Sequence, residues 1–173
     1  PIQIGKIQRY LVEEEQAMSA KFVIAGEKIG KKVALIGAGP ASLACARELA
    51  LAGVDTTIFE KQAKAGGVLR YGITTTRLPD RVVDFDIALI KELGVKFEFG
   101  KEIKFEDIPK LKSEYDAVFV GVGLWNSKKV DIEGSDLKGV ESAIEFLFKA
   151  RTGEIKELSE RVIVIGGGDV AMD

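Results

Sequence analysis

The chain has 173 residues, of which 46% are hydrophobic and 30% are charged, and its formal net charge is −2. It contains one cysteine and no histidine, which excludes an internal disulfide, a metal cluster held by several thiolates and imidazole catalysis within these residues. The balanced charge argues against nucleic-acid binding, and no run reaches the roughly 18 apolar residues of a membrane span. No signal-peptide core opens the chain, so we expect a cytoplasmic protein without a membrane or nucleic-acid partner.

Predicted helices and strands alternate over most of the chain. Apolar or β-branched runs of strand length predict strands at residues 31–37, 55–61, 95–100, 116–123 and 161–168. Apolar positions at helical spacing predict helices at residues 4–16, 40–53, 78–94 and 140–151, and residues 105–115 indicate a turn or a short helix. This alternation is typical of an α/β fold with a central parallel sheet.

A glycine-rich turn, GAGPAS at residues 37–42, follows the first of these strands. Gly37 permits a tight turn, and Gly39 lets the backbone approach a pyrophosphate that faces the amides of the next helix. Ser42 stands where the six-residue pattern has its third glycine. Glu60 ends the next predicted strand, where a carboxylate can accept hydrogen bonds from ribose hydroxyls. The order of strand, glycine turn, helix, strand and acid favours dinucleotide binding over a tight turn without a ligand.

The stretch from Gly37 to Pro79 resembles the flavin-binding part of glutamate synthase small subunits and of dihydropyrimidine dehydrogenase. Beyond the first turn, the matching positions are Glu60, Lys61, Gly66, Gly67, Gly72, Ile73, Arg77, Leu78 and Pro79. The similarity continues through residues 82–103 and 117–124 to the terminal VIVIGGGDVAMD. Residues 1–19 look like the connector between the family's iron–sulfur domain and its flavin domain.

The resemblance implies an FAD site. Its residues would be Gly37, Ala38, Gly39, Pro40 and Ala41 at the diphosphate, Glu60 at the ribose, Gly66, Gly67 and Arg77 around the flavin, Ile103 through its backbone, and Lys61 and Val68 at further cofactor contacts. Taken by themselves, the Gly66–Gly67 pair also fits an ordinary loop and Arg77 a solvated surface arginine. Two departures, Thr74 for the usual proline and Thr76 for the usual phenylalanine, would loosen this loop and remove packing area beside the flavin.

The terminal VIVIGGGDVAMD repeats the strand-and-glycine pattern, with Ala171 in the third glycine position. By the resemblance it opens the family's NAD(P)H-binding domain, where Gly167, Gly168, Asp169 and Val170 would lie at the pyrophosphate. The residues that select NAD or NADP normally follow the next strand. We therefore expect this chain to be a fragment of a longer reductase and to be inactive alone.

Cys45 lies in an alanine-rich predicted helix. Several flavin reductases relay electrons through a pair of cysteines, which one thiol cannot form. A small core residue is the better interpretation of Cys45, and a disulfide-reductase mechanism within this chain is excluded.

Three domains are predicted: a helical connector at residues 1–30, the N-terminal part of a Rossmann-like FAD-binding domain at 31–150, and a linker with the first strand of an NAD(P)H-binding domain at 151–173. The implied oxidoreductase passes electrons from NAD(P)H through FAD to iron–sulfur clusters, which would lie in a missing N-terminal region or in a larger partner subunit or domain. No side chain is assigned as a catalytic acid, base, nucleophile or metal ligand. The alternatives are an NAD-only Rossmann dehydrogenase and a non-catalytic docking subunit with a vestigial nucleotide fold.

Overall fold

A computed structural model describes residues 2–18, 23–127, 131–158 and 161–173. Its elements in chain order are helix α1 (Ile4–Met18), strand β1 (Lys32–Ile36), helix α2 (Pro40–Leu51), strand β2 (Asp55–Glu60), the short helix α3 (Val68–Tyr71), helix α4 (Asp80–Glu92), strand β3 (Lys96–Phe99), a 3-10 turn (Phe105–Asp107), helix α5 (Ile108–Glu114), strand β4 (Ala117–Val120), helix α6 (Ala143–Thr152) and the short helix α7 (Asp169–Met172).

The four strands form one parallel sheet in the order β3-β2-β1-β4, so the predicted α/β fold with a parallel sheet is confirmed. The central strand β1 aligns Ile36 with Phe59 of β2 on one side and with Val120 of β4 on the other. The chain moves outward from β1 through β2 to β3 and then returns to the far side of β1 for β4. The carboxyl ends of β1 and β4 therefore border the point where the strand order reverses, and open α/β sheets bind ligands in the crevice at such a point.

The sequence of each central element explains its place. In β1 the run Ala34, Leu35 and Ile36 is buried, as expected for a strand covered on both faces. In α2 the first residue is Pro40, whose fixed φ and missing N–H suit a first helical turn. The α4 face that packs inward carries Val83, Ile87 and Ile90, which are spaced as one side of a helix.

Two apolar clusters cover the two faces of the sheet. The larger one joins Leu35 and Ile58 of the sheet to α2 and α4, through Leu43 and Ile87 among others. The smaller one is centred on Ala34, Ile36 and Leu111, with Ile103, Ile108 and Tyr115 packed around it. The carboxyl end of β1 is therefore held from both faces, and the turn that follows it starts from a fixed position.

The N-terminal segment confirms the helix predicted at residues 4–16, and α1 has no buried residue. Residues 23–30, within the predicted connector, run past the end of α2, where the Gly26 N–H donates to the Ala50 carbonyl at 3.0 Å. No helix in the described parts of the chain is long and apolar enough to cross a bilayer.

The predicted strand at residues 161–168 is wrong. Among the described residues, 161–167 pair with no other strand, and Ile163 and Ile165 are exposed. A strand is defined by ladder hydrogen bonds to a neighbour, and the sheet of the described residues ends at β3 and β4. The helix predicted at residues 140–151 begins later, at Ala143, because the Ser142 hydroxyl caps it by accepting the Glu145 N–H at 3.3 Å.

Candidate functional site

The first glycine turn joins β1 to α2 at the carboxyl edge of the sheet. Gly37 has a φ of 89°, and a Cβ on it would lie 2.7 Å from the carbonyl oxygen of Gly121, which follows β4. Gly39 has an extended backbone with φ −77° and ψ 176° and caps α2. A Cβ on Gly39 would meet no atom closer than 3.9 Å. Gly37 is therefore needed by the fold itself, whereas a Cβ on Gly39 would make only ordinary contacts with Gly121 and Gly67.

Glu60 lies directly behind this turn. Its carboxylate is buried, and one oxygen accepts the N–H of Ala38 at 2.6 Å while the other accepts the N–H of Gln62 at 2.8 Å. Each carboxylate oxygen has two acceptor positions, so both retain capacity for a further donor. The predicted ribose-binding acid is thus fixed against the predicted diphosphate turn.

The second predicted loop, Gly66–Gly67, packs on the first turn. The Gly66 N–H donates to the Ala38 carbonyl at 2.9 Å. Gly67 has a φ of 52°, and a Cβ on it would lie 2.6 Å from the Cα of Gly39. The contact between the two loops is therefore backbone against backbone, and Val68 starts α3 immediately beyond it.

Arg77 and Ile103, two other predicted cofactor contacts, lie in different surroundings. Arg77 is half-exposed and pairs with the acidic residues of the C-terminal segment: Nη2 donates to the Asp169 carbonyl at 3.3 Å, Nη1 lies 3.5 Å from Asp169 Oδ1, and Nε bonds to Asp173. Ile103 packs on the smaller apolar cluster. The structure thus brings Arg77 to the second glycine turn, and the flavin contacts of both residues stay predictions.

The second glycine turn has the local form of the first. Gly168 has φ −80° and ψ 178° and caps α7, and Gly166 has a φ of 124°. Gly167, Gly168, Asp169 and Val170 are all exposed. The predicted NAD(P)H-binding residues therefore lie together on the surface.

The loop with the two unexpected threonines is closed by its own hydrogen bonds. The Thr74 carbonyl accepts the N–H groups of Arg77 and Leu78 at 3.1 and 3.0 Å, and the hydroxyls of Thr74 and Thr76 are 3.0 Å apart. These contacts give the turn a definite shape without the family's usual proline.

Two buried polar residues, Ser42 and Arg70, lie beside the turns, and sequence reasoning missed the burial of Arg70. Arg70 looks like a surface residue in the stretch VLRYGI, yet it is only 4% exposed and its Nε donates to the Ala65 carbonyl at 2.7 Å. Ser42 is fully buried, and a Cβ on Gly121 would lie 2.1 Å from its hydroxyl oxygen. The only signal for Arg70 was a charge within a short apolar run after a glycine pair. Ser42 is tolerated because Gly121 lacks a side chain.

Cys45 packs against the larger apolar cluster, and burial raises the pKa of its thiol. A raised pKa keeps the thiol protonated near neutral pH, whereas redox-active cysteines have a lowered pKa. The interpretation of Cys45 as a small core residue agrees with this position.

The parallel sheet with a glycine turn at its switch point defines a Rossmann-type α/β domain. The sequence pattern of the family described as pyridine nucleotide-disulphide oxidoreductase matches residues 31–173. The chain therefore belongs to the pyridine nucleotide-disulphide oxidoreductase family, and the suspected resemblance is confirmed.

Among curated relatives, the NAD-dependent dihydropyrimidine dehydrogenase subunit PreT of Escherichia coli O157:H7 is 44% identical over 100% of this chain and 42% of its own length. The small chain of NADPH glutamate synthase from Escherichia coli K12 is 37% identical over 99% of this chain and 39% of its own length. This chain thus spans about two-fifths of the length of these relatives.

Solved structures give the same fold. A 2-naphthoyl-CoA reductase complex superposes with a TM-score of 0.70 at 30% identity, over 87% of this chain and 22% of that one. FprA from Mycobacterium tuberculosis, in complex with NADPH, gives a TM-score of 0.61 at 20% identity over 69% of this chain and 28% of that one.

Proposed function

We propose that this chain supplies the FAD-binding part of an NAD(P)H-dependent oxidoreductase that passes electrons to iron–sulfur clusters or to a partner subunit. The observation that carries the proposal is the joined cradle of Gly37–Gly39, Glu60 and Gly66–Gly67 at the switch point of the sheet. Bound FAD would supply the hydride chemistry, while the protein supplies its position and electrostatic surroundings.

The residues present fit the diphosphate of a dinucleotide. Gly39 puts no side chain before the first amides of α2, a helix of 12 residues whose N-terminal N–H groups and dipole favour an anion. Glu60 places a carboxylate beside the same turn, where free acceptor positions suit ribose hydroxyls. A carboxylate there also repels a 2′-phosphate, which favours FAD or NAD over NADP at this first site.

The second nucleotide is assigned to the turn at residues 166–169. The support is its backbone, which matches the first turn at the helix cap, together with the names of two relatives, one NAD-dependent and one NADPH-dependent. The nicotinamide donor is therefore proposed at the level of NAD(P)H. Transfer beyond FAD to iron–sulfur clusters in a larger subunit or domain rests on the resemblance of the sequence.

The decisive experiment concerns FAD itself. The full-length protein is expected to purify with a flavin absorption spectrum, to release FAD on denaturation, and to lose that absorption in the visible when NADH or NADPH is added without oxygen. A colourless protein that binds NADH but cannot be reconstituted with FAD would establish the NAD-only dehydrogenase instead. Flavin that no nicotinamide reduces, with an artificial acceptor left unreduced, would favour the docking subunit.

The variant Gly39→Ala localises the site. Alanine is compatible with the extended backbone at this position, and its Cβ has room in the protein, so the fold should be kept. The same Cβ occupies the space through which the pyrophosphate approaches, and the Kd for FAD should rise by about ten-fold or more, equal to about 1.4 kcal/mol. Gly5→Ala, on exposed α1, is the matched control and should leave the Kd unchanged.

A further inference from the structure

Arg70 is a buried cation that no part of the proposed site accounts for. It lies in α3, three residues after Gly67, and its side chain is 5% exposed. Arginine is rarely buried unless its guanidinium is paired and hydrogen-bonded. The partners of Arg70 therefore indicate its role.

One side of Arg70 contacts the Gly66–Gly67 loop. Its Nε donates to the Ala65 carbonyl at 2.7 Å, and its backbone N–H donates to the Gly67 carbonyl at 3.1 Å. A Cβ on Gly66 would lie 2.9 Å from the Arg70 Cβ and 3.5 Å from its Nε. The arginine therefore forms the floor on which the Gly66–Gly67 loop rests.

The other side of Arg70 is fixed to two helices. Nη2 bonds to Asp84 of α4, and Nη1 lies 3.6 Å from the Asp80 carboxylate at the start of the same helix. From α6, Arg151 donates through Nε to the Arg70 carbonyl at 2.7 Å and through Nη2 to Asp80 at 2.5 Å. The two arginines and two aspartates join α3, α4 and α6 in one network.

The geometry leaves one group imperfectly paired. Nη1 of Arg70 is buried and makes no hydrogen bond within the described ranges of the chain. An unpaired buried donor opposes folding, and an apolar side chain of similar length would avoid that cost. A residue selected only for stability would therefore not need to be arginine, whereas its planar fork can reach a loop carbonyl and an aspartate at once.

We infer that Arg70 is a positioning residue for dinucleotide binding: it holds the Gly66–Gly67 loop against Gly39 so that the space for the cofactor keeps its width. The inference rests on the proposed function. Gly67 meets Gly39 backbone to backbone, and the resemblance places this loop around the flavin, so its displacement changes the space for the flavin half of the cofactor. Close packing transmits such shifts instead of absorbing them.

The test uses Arg70→Met in the full-length protein. Methionine keeps an unbranched apolar chain but cannot hold the Ala65 carbonyl. The Kd for FAD should rise about ten-fold, whereas the Kd for ADP, which lacks the flavin half, should change by less than about three-fold. This FAD-to-ADP ratio separates positioning from a structural role, because partial unfolding weakens both ligands equally.

Two further variants complete the experiment. Arg70→Lys keeps the charge but reaches only one of the two partners, so it should weaken FAD binding to an intermediate degree. Arg47→Met removes an exposed arginine of α2 that pairs with Glu48, and it should leave both Kd values unchanged. If Arg70→Met does not fold, Asp84→Asn replaces it, because it weakens the α4 anchor that holds the guanidinium beneath the loop.

The outcomes distinguish a failure of the proposed function from a failure of the role of Arg70. A wild-type protein that does not bind FAD overturns the proposed function whatever the variants do. A wild-type protein that binds FAD, with unchanged affinity in Arg70→Met or in its replacement Asp84→Asn, overturns the role of Arg70 alone. An equal loss of FAD and ADP also overturns it, since Arg70 would then be purely structural.

Discussion

The two glycine turns have nearly the same local backbone and very different surroundings. Gly39 caps its helix with φ −77° and ψ 176°, and Gly168 does so with φ −80° and ψ 178°. The first turn follows a buried strand, precedes a helix of 12 residues and contacts Glu60 and the Gly66–Gly67 loop. The second follows an exposed segment that pairs with no strand among the described residues.

This comparison shows what a glycine motif determines by itself. Positive φ and the missing Cβ set the local turn, since both are properties of the residues in it. The cradle at the first turn comes from elsewhere in the chain: Gly121 follows β4, Glu60 ends β2, and Gly66–Gly67 precede α3. A glycine turn with a fixed acid and a second loop against it therefore depends on the sheet.

The largest expected difference between the turns is in the effect of alanine. Gly37→Ala should destabilise the protein by about 2–4 kcal/mol, because its φ of 89° is strained for alanine and the new Cβ would lie 2.7 Å from the Gly121 carbonyl oxygen. Gly168→Ala should cost almost nothing, since its φ is ordinary and no atom lies within 4 Å of the Cβ. Thermal unfolding of both variants, without added nucleotide, measures the difference.

Equal losses for Gly37→Ala and Gly168→Ala would contradict the comparison. They would mean that the second turn is as tightly packed in the full-length protein as the first.

The second-largest expected difference is in the stability lost when the acid beside each turn, Glu60 or Asp169, is replaced by its amide. Glu60→Gln leaves the Ala38 and Gln62 amides with only one good acceptor between them, and a lost buried hydrogen bond costs about 1–3 kcal/mol. Asp169→Asn changes a side chain that is 92% exposed, so its ion pair with Arg77 should contribute about 0.5 kcal/mol or less. Urea unfolding at neutral pH compares the two; a larger loss for Asp169→Asn would reverse the ranking.

Much of the fold could be predicted from the sequence because its signals are local. The β1 and β2 runs, the Pro40 helix start and the apolar face of α4 each carry their own periodicity or cap. The strand predicted at residues 161–168 is wrong because a strand needs a partner, which no local pattern supplies. The short helix α3 has four residues, too few for a periodic signal.

The candidate site could be predicted in part, for a related reason. The glycine spacing and the acid after β2 indicate chemistry directly, and the structure brings Gly39, Glu60 and Gly67 together. The burial of Arg70 could not be predicted, since it depends on Asp84 of α4. Nor could the pairing of Arg77 with Asp169, which are far apart in the chain and meet only through the fold.

Ser42 offers a way to make the first turn more like the second. Its hydroxyl is buried and has no hydrogen-bond partner among the residues that the structure describes, whereas the second turn has Ala171 at the corresponding position. Ser42→Ala removes an unsatisfied polar group and should raise the free energy of unfolding by about 1 kcal/mol. The measurement is the shift in Tm with FAD affinity as the control, which should stay within about two-fold. A lower Tm would show that the hydroxyl gains a partner in solution.

The smallest expected effect on Tm is at the amino ends of β1 and β4, at the opposite edge of the sheet from the first turn. Asp116 joins the amino ends of β1 and β4 by accepting from Lys31 Nζ at 2.7 Å and from the Lys32 N–H at 2.8 Å. The hydrogen bond from the Lys31 ammonium, followed by that from the Lys32 amide, lowers the pKa of the Asp116 carboxyl. A lowered folded-state pKa contributes stability that is present above the unfolded value of about 3.9 and is lost as pH falls through the folded value.

Asp116→Asn should therefore lower Tm slightly at neutral pH, and the difference from wild type should close in acid, below about pH 4. Asp136→Asn, an exposed control away from the sheet, should show no such convergence. A Tm difference that persists unchanged into acid would mean that the β1–β4 pairing, and with it the contact of Gly121 on Gly37, does not depend on this carboxylate's charge.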